Sequence, residues 1–280
     1  MISKFDRRTP DFSQALYTYR QVVSTVYAQI RCGRCSIDLD MENYTSSRKR
    51  IVCFGDSLTE YGHDPTLNGW VNQLSFYFSR RADVINRGFS GYNTALALHL
   101  IDEVLTDSDL KPDLLFLWFG ANDSATPDAP FHVPLEEYSQ NLLSLTRHAQ
   151  QKGVEVILIT PPPCYEPALE EWLRATYNVP LNHHNDITQN YVKATLEVAT
   201  QTACNVIDVF ECMGGLAIER KDYLLDGLHL NLKGNCALFE QIKSTIEMQL
   251  PSFNPLNMPW HHPDVPDVDY KTPILNFSRS

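Results

Sequence analysis

From residue 51 onward, short apolar runs alternate with amphipathic stretches. Five mostly apolar runs, 51–54, 83–86, 113–119, 154–160 and 205–209, are bounded by polar or breaking residues and predict β-strands. Between them, apolar positions recur at helical spacing near 68–81, 93–105, 135–152 and 185–203, with a further such stretch at 233–249. Strands separated by helices need crossover connections, hence a parallel sheet with helices on both faces. The run Asp113-Leu-Leu-Phe-Leu-Trp-Phe119 is continuously apolar after its first residue, as a central parallel strand buried on both faces should be. The predicted fold is a three-layer α/β/α sandwich around a five-stranded parallel sheet, occupying residues 50–250.

The two ends of the chain depart from this pattern. Residues 1–49 form an N-terminal extension, with apolar positions at roughly helical spacing across 12–30. Its first 36 residues hold six Lys/Arg against two acids, in a chain whose net charge is −11. Two readings stand: a dispensable extension with Met41 as a used start, or, being Arg-rich and acid-poor, a mitochondrial transit peptide. Mass spectrometry of the native N-terminus separates them. Residues 251–280 carry six prolines with Phe253, Trp260 and Tyr270, a composition that cannot form a long helix or a central strand. Its aromatics predict a tail laid over the domain surface or over a partner subunit, the second of which makes a homodimer.

Charge and cysteines narrow the class. The acidic balance disfavours a nucleic-acid or anionic-membrane partner. No apolar run approaches the roughly eighteen residues of a membrane helix, so no stable insertion is expected. Seven scattered cysteines fit reduced thiols in a cytoplasmic protein better than a disulfide framework. Cys32-Gly-Arg-Cys35 lacks a second pair at metal spacing, and the pairs His183-His184 and His261-His262 lack completing ligands, so these histidines are expected to be solvated loop residues. No cofactor or metal is expected.

In a parallel sheet, ligands bind beyond the carboxyl ends of the strands. Those ends read Gly55-Asp-Ser57, Asn86-Arg-Gly-Phe-Ser-Gly91, Gly120-Ala-Asn-Asp123 and Thr160-Pro-Pro-Pro163, with Asp226-Gly-Leu-His229 ahead of the last helix. Ser57 sits at a strand-to-helix turn, where a serine serves either as an N-cap or as an exposed nucleophile. Asp226 and His229, three residues apart, can hold carboxylate and imidazole side by side. The backbone N–H groups of Ser57 and Gly91 and the Asn122 amide are candidate oxyanion donors. Each piece alone is weak, but four in order at strand ends point to acyl transfer on a small-molecule ester. Asp56 and Asp123 are expected to hydrogen-bond loop amides, the alternative for Asp123 being a plain turn residue. Leu58, Phe89, Tyr92, Phe131, Val133 and Tyr165 are candidates to line the pocket.

These blocks resemble the GDSL, or SGNH, hydrolase superfamily over about residues 50–250. The stretches Phe54 to Glu60, Asn86 to Thr94, Phe119 to Asp123, His132-Val-Pro-Leu135, Thr160 to Pro163 and Asp226 to Leu230 are similar to its isoamyl acetate-hydrolysing esterase branch. The resemblance implies a flavodoxin-like fold, Ser57 as nucleophile, Asp226 and His229 completing the triad, and Gly91 and Asn122 in the oxyanion hole. It implies hydrolysis of short- to medium-chain carboxylic esters, in small-ester or lipid metabolism. A lysophospholipase, thioesterase or carbohydrate acetylesterase would share the motifs. Readings of another class are a flavodoxin-like binding protein, against which the Gly55 loop lacks the glycines and lysine of a phosphate cradle, and a catalytically silent scaffold. The leader and much of 164–184 fall outside the family pattern.

Overall fold

A computed structural model describes residues 44–45, 48–106 and 111–262, all within the compact unit Met41–Ser280. The leader helix expected over 12–30 and the Cys32/Cys35 motif lie outside the described residues. In chain order the principal elements are β1 (Tyr44–Thr45), β2 (Lys49–Gly55), α1 (Ser57–Glu60), α2 (Trp70–Tyr77), β3 (Ala82–Gly88), α3 (Thr94–Thr106), β4 (Leu114–Trp118), α4 (Leu135–Gln151) and β5 (Glu155–Ile159). There follow α5 (Glu166–Tyr177), α6 (Asn185–Thr202), β6 (Asn205–Ile207), α7 (Val209–Cys212), α8 (Leu232–Gln249) and β7 (Trp260–His261).

The main sheet has the order β3-β2-β4-β5-β6, every pair parallel. Alternate residues of each strand feed opposite faces, because side chains alternate along a strand. Ile51, Cys53, Leu114, Phe116, Ile157 and Ile159 pack on one face with Trp70, Leu74, Leu169, Leu238 and Ile242, from α2, α5 and α8. Val52, Phe54, Leu115, Leu117, Val156 and Leu158 pack on the other with Ala97, Ile101, Leu142, Leu145 and Val198, from α3, α4 and α6. All five residues of β4 are buried, as its unbroken apolar run requires. The chain passes from β2 outward to β3, then returns to the far side of β2 for β4. The ends of β2 and β4 therefore flank the topological switch point.

All five expected strands form, with ends set by local chemistry. The last stops at Ile207 because Asp208 leaves the sheet and caps α7, its side chain accepting from Glu211 N at 3.1 Å. The helix expected over 68–81 is confined to Trp70–Tyr77, between Gly69 at its start and Arg80, whose φ is 61°. Helix α5 has no counterpart in the expected elements. Pro161 to Pro163 and Pro167 read as breakers, yet Pro167 falls in the first helical turn, where its missing N–H has no partner to lose. Residues 251–262 lie on the domain: Phe253 and Met258 are buried in the first cluster, and Trp260 packs under the Arg81 guanidinium at 3.7 Å. β7 pairs in parallel with β1. Among the described residues no helix is long and apolar enough to cross a membrane.

Candidate active site

Ser57 is the first residue of α1, directly beyond β2. The neighbouring Asp56, not Ser57, caps this helix, its carboxylate accepting from Leu58 N at 2.9 Å. The serine hydroxyl is thereby released from capping, and its Oγ lies 2.9 Å from Nε2 of His229. The His229 Nδ1 lies 2.7 Å from Oδ2 of Asp226. The other Asp226 oxygen accepts from the backbone N–H groups of Leu228 (3.0 Å) and His229 (2.9 Å), so one carboxylate both shapes the turn and holds the ring. Burial pushes the Asp226 carboxyl up, but the His229 ring hydrogen bond and charge and these two amides outweigh it and hold it below the usual carboxylate range. Residues Leu224 and Leu230 bridge across the base of the loop.

Gly227, between Asp226 and His229, meets two demands at once. Its φ is 94°, and a Cβ there would stand 2.4 Å from Leu169 N and 2.6 Å from Tyr165 O. The start of α5 is thus docked directly on the acid–histidine loop, and Tyr165 N donates to Gly227 O at 2.8 Å.

The loops bearing the candidate oxyanion donors are tied to one another. The Glu60 carboxylate on α1 accepts from Ser90 N and Ser90 Oγ, both at 2.7 Å. Asn122 donates one amide hydrogen to Tyr92 O at 2.8 Å, which leaves its second hydrogen for another acceptor. Gly91 has φ 80°, with open space where a Cβ would point. Backbone conformation rather than crowding is what calls for glycine at this position. Asp123 anchors the first residue of α3, accepting from the N–H and hydroxyl of Thr94. Burial raises its carboxyl to about 6 and that of Asp56 to about 7.

The pocket candidates divide. Leu58 and Val133 are 3% and 2% exposed and belong to the two core clusters, which leaves them little surface for a ligand. Phe89 packs between Phe54 and Tyr92 at 6.2 and 5.2 Å. Phe131 stacks on His183 at 6.0 Å. Tyr165 is half-buried against the first cluster. The expectation of a solvated His183 fails. Its ring is 4% exposed, because the 182–183 backbone pairs with the loop after Asn122, through Thr126 N to Asn182 O at 2.8 Å and a bridge between Ala125 and His183. Desolvation lowers this histidine to about 4. Among the described residues no group of three or more His, Cys, Asp or Glu could hold a metal.

Two neighbours of His229 escape the sequence reading. Tyr61, one turn beyond Ser57, lies 5.0 Å from the imidazole between ring centroids, and Trp172 on α5 lies 5.6 Å from it. No motif marks Trp172. Only the spacing of Tyr61 from Ser57 was a usable signal.

A profile of the GDSL-like Lipase/Acylhydrolase family matches residues 53–237. The isoamyl acetate-hydrolyzing esterase 1 homolog of Mus musculus is 35% identical over 234 residues, covering 81% of this chain and 91% of the mouse protein. Its Homo sapiens counterpart is 37% identical over 218 residues, 75% of this chain and 86% of the human protein. Among solved structures, a lipase/acylhydrolase from Enterococcus faecalis superposes with a TM-score of 0.57 at 25% identity, covering 71% of this chain and 95% of that one. A GDSL-like lipase from Bacteroides thetaiotaomicron, at TM-score 0.55 and 21% identity over 83% of this chain and 98% of its own, shares the fold.

Proposed function

The chain belongs to the GDSL-like lipase/acylhydrolase family and is a carboxylic ester hydrolase; from that premise we propose that it cleaves short- to medium-chain esters through an acyl-enzyme on Ser57. The observation that carries this reading is the continuous hydrogen-bonded chain from Ser57 Oγ through His229 to Asp226, at 2.9 and 2.7 Å. Ser57 Oγ attacks the ester carbonyl as Nε2 of His229 takes its proton. The carbonyl oxygen becomes an oxyanion received by the N–H groups of Ser57 and Gly91 and the free Asn122 amide hydrogen. The imidazolium returns its proton to the departing alkoxide, and alcohol leaves. Water, deprotonated by the same nitrogen, then attacks the acyl-serine and releases the acid. Asp226 holds Nδ1–H throughout and stabilises the imidazolium between steps.

The mammalian relatives are named for hydrolysis of isoamyl acetate. We carry a small acetate ester over to this chain on that basis, with a role in small-ester or lipid metabolism in the cytoplasm. Among the described residues the five cysteines, at 53, 164, 204, 212 and 236, are free thiols, in keeping with a reducing compartment.

A chain-length series of nitrophenyl esters tests the reading. The highest kcat/KM is expected for acetate to butyrate, with a rapid initial release of nitrophenol equal to the enzyme present if deacylation is the slower step. A preference for long acyl chains would move the assignment to a lysophospholipase. No turnover of any member would overturn it. Asn122→Ala should lower kcat by about 10²–10³ with little change in KM, the usual loss of one oxyanion donor. A loss below tenfold removes Asn122 from that role.

A further inference from the structure

We infer that Trp172 and Tyr61 form the alcohol-side specificity pocket, an aromatic slot on either side of His229 that selects alkyl leaving groups. The inference rests on the serine esterase reading above and adds to it which part of the ester is discriminated, and by which residues.

The chemistry of the step places the alcohol. His229 must deliver its proton to the leaving oxygen, so that oxygen lies within about 2.6–3.2 Å of Nε2 at the moment of cleavage. The carbons attached to it lie one or two bonds farther out, among the neighbours of the imidazole. Nδ1 is occupied by Asp226 and Nε2 faces Ser57. Two aromatic rings also pack on this imidazole. Tyr61, in the short turn Tyr61–His63 that continues α1, is tilted 45° to it with centroids 5.0 Å apart. Trp172 meets it edge-on, at 77° and 5.6 Å. Trp172 is half-buried and Tyr61 is 46% exposed, so both rings keep accessible surface beside the histidine.

The slot is rigid on its Trp172 side. Leu169 and Leu173 bury the same helix in the first core cluster. The close approach of Gly227 to Tyr165 and Leu169 locks the start of α5 to the loop that carries His229. Tyr177 braces the indole edge-on at 5.3 Å. These contacts hold Trp172 in place relative to the proton donor. An alkyl alcohol gains by burying carbon against two aromatic rings. A glycerophospho or sugar alcohol brings a phosphate or several hydroxyls, which must then shed water against the same rings.

The test uses acetates of different alcohols, because all of them pass through one acetyl-enzyme and share its deacylation. The kcat/KM for ethyl, isoamyl and glyceryl acetate is measured for wild type, Trp172→Ala, Trp172→Phe and Tyr61→Ala. Acetate and butyrate nitrophenyl esters report the acyl side. Trp172→Ala should lower the isoamyl-to-ethyl ratio by about tenfold or more, the scale of lost apolar contacts in a specificity pocket. Trp172→Phe should restore most of that ratio, Tyr61→Ala should lower it in the same direction, and the acetate-to-butyrate ratio should hold. An equal fall for every acetate, with a displaced pH profile, would mean that Trp172 acts on the histidine alone and would overturn the slot. A change confined to the acyl ratio would overturn it too, placing Trp172 on the other side of the carbonyl. Should Trp172→Ala not fold, Trp172→Phe and Tyr61→Ala read the same ratio. Persistence of hydrolysis in Ser57→Ala would instead fell the esterase mechanism beneath, a failure visible without any Trp172 variant.

Discussion

Ser57→Ala is expected to lower kcat by about 10⁵–10⁶-fold on any ester the wild type cleaves, with KM nearly unchanged, as in other serine hydrolases that lose their nucleophile. The side chain is 9% exposed and its hydroxyl hydrogen-bonds His229, so the substitution removes the proposed attacking atom with little disturbance of packing. Asp56 rather than Ser57 caps α1, so the helix keeps its cap in the variant. Folding should therefore be intact, and equal melting temperatures for variant and wild type verify this. The decisive comparison is the double variant Ser57→Ala/His229→Ala. If serine and histidine act as one unit, the second substitution costs almost nothing further. A residual rate that drops again by orders of magnitude on losing His229 would show the histidine serving a different nucleophile.

Asp226→Asn should reduce kcat by about 10⁴-fold while leaving the loop in place, the loss expected when the histidine is held in the wrong tautomer. An asparagine carbonyl can still accept from the amides of Leu228 and His229, as Asp226 does at 3.0 and 2.9 Å. Its other atom becomes an NH₂ that donates where the carboxylate accepts. Nδ1 of His229 must then be the bare nitrogen, and the hydrogen moves to Nε2, facing Ser57 as a donor and unable to take its proton. The carboxylate also contributes to stability, and the sign follows from its shift. Its folded pKa lies below the ordinary value, so its contribution is present above that ordinary value and is lost as pH falls through the folded one. Asp226→Asn should accordingly flatten the acid side of the stability profile, measured by urea unfolding between about pH 3 and 7. Activity within tenfold of wild type would remove Asp226 from the histidine's support.

Much of the molecule was legible in its residue order because the relevant physics is local. A strand buried on both faces must be apolar along its length, so the β4 run declared itself. Parallel pairing follows from strands separated by helices, and the carboxyl-end rule then directs attention to Ser57, Asn122 and the Asp226–His229 loop. The pairing of Asp226 with His229 is likewise local, since a three-residue turn closed by one carboxylate brings the two together. The proline-laden start of α5 hid a helix because breakers are recognised by type, whereas position in the first turn makes Pro167 harmless.

What only the tertiary structure decided concerns residues brought together across the chain. Leu58 directly follows Ser57 and Val133 closes the loop that begins at Asn122, yet core packing claims both, one on each side of the sheet. His183 carries no sign of burial in its neighbours. It is enclosed because the segment before α6 pairs with the loop after β4, some sixty residues earlier in the chain. Gly91 needed its glycine for a positive φ that no residue spacing reveals. The aromatic surround of His229 comes from Tyr61 and Trp172, on separate elements met only where α1, α5 and the loop before α8 converge. Periodicity and turn chemistry report what a residue does within a few positions of itself. Which side chains share a pocket is set by close packing of the whole domain, and that information is distributed over every residue of the core.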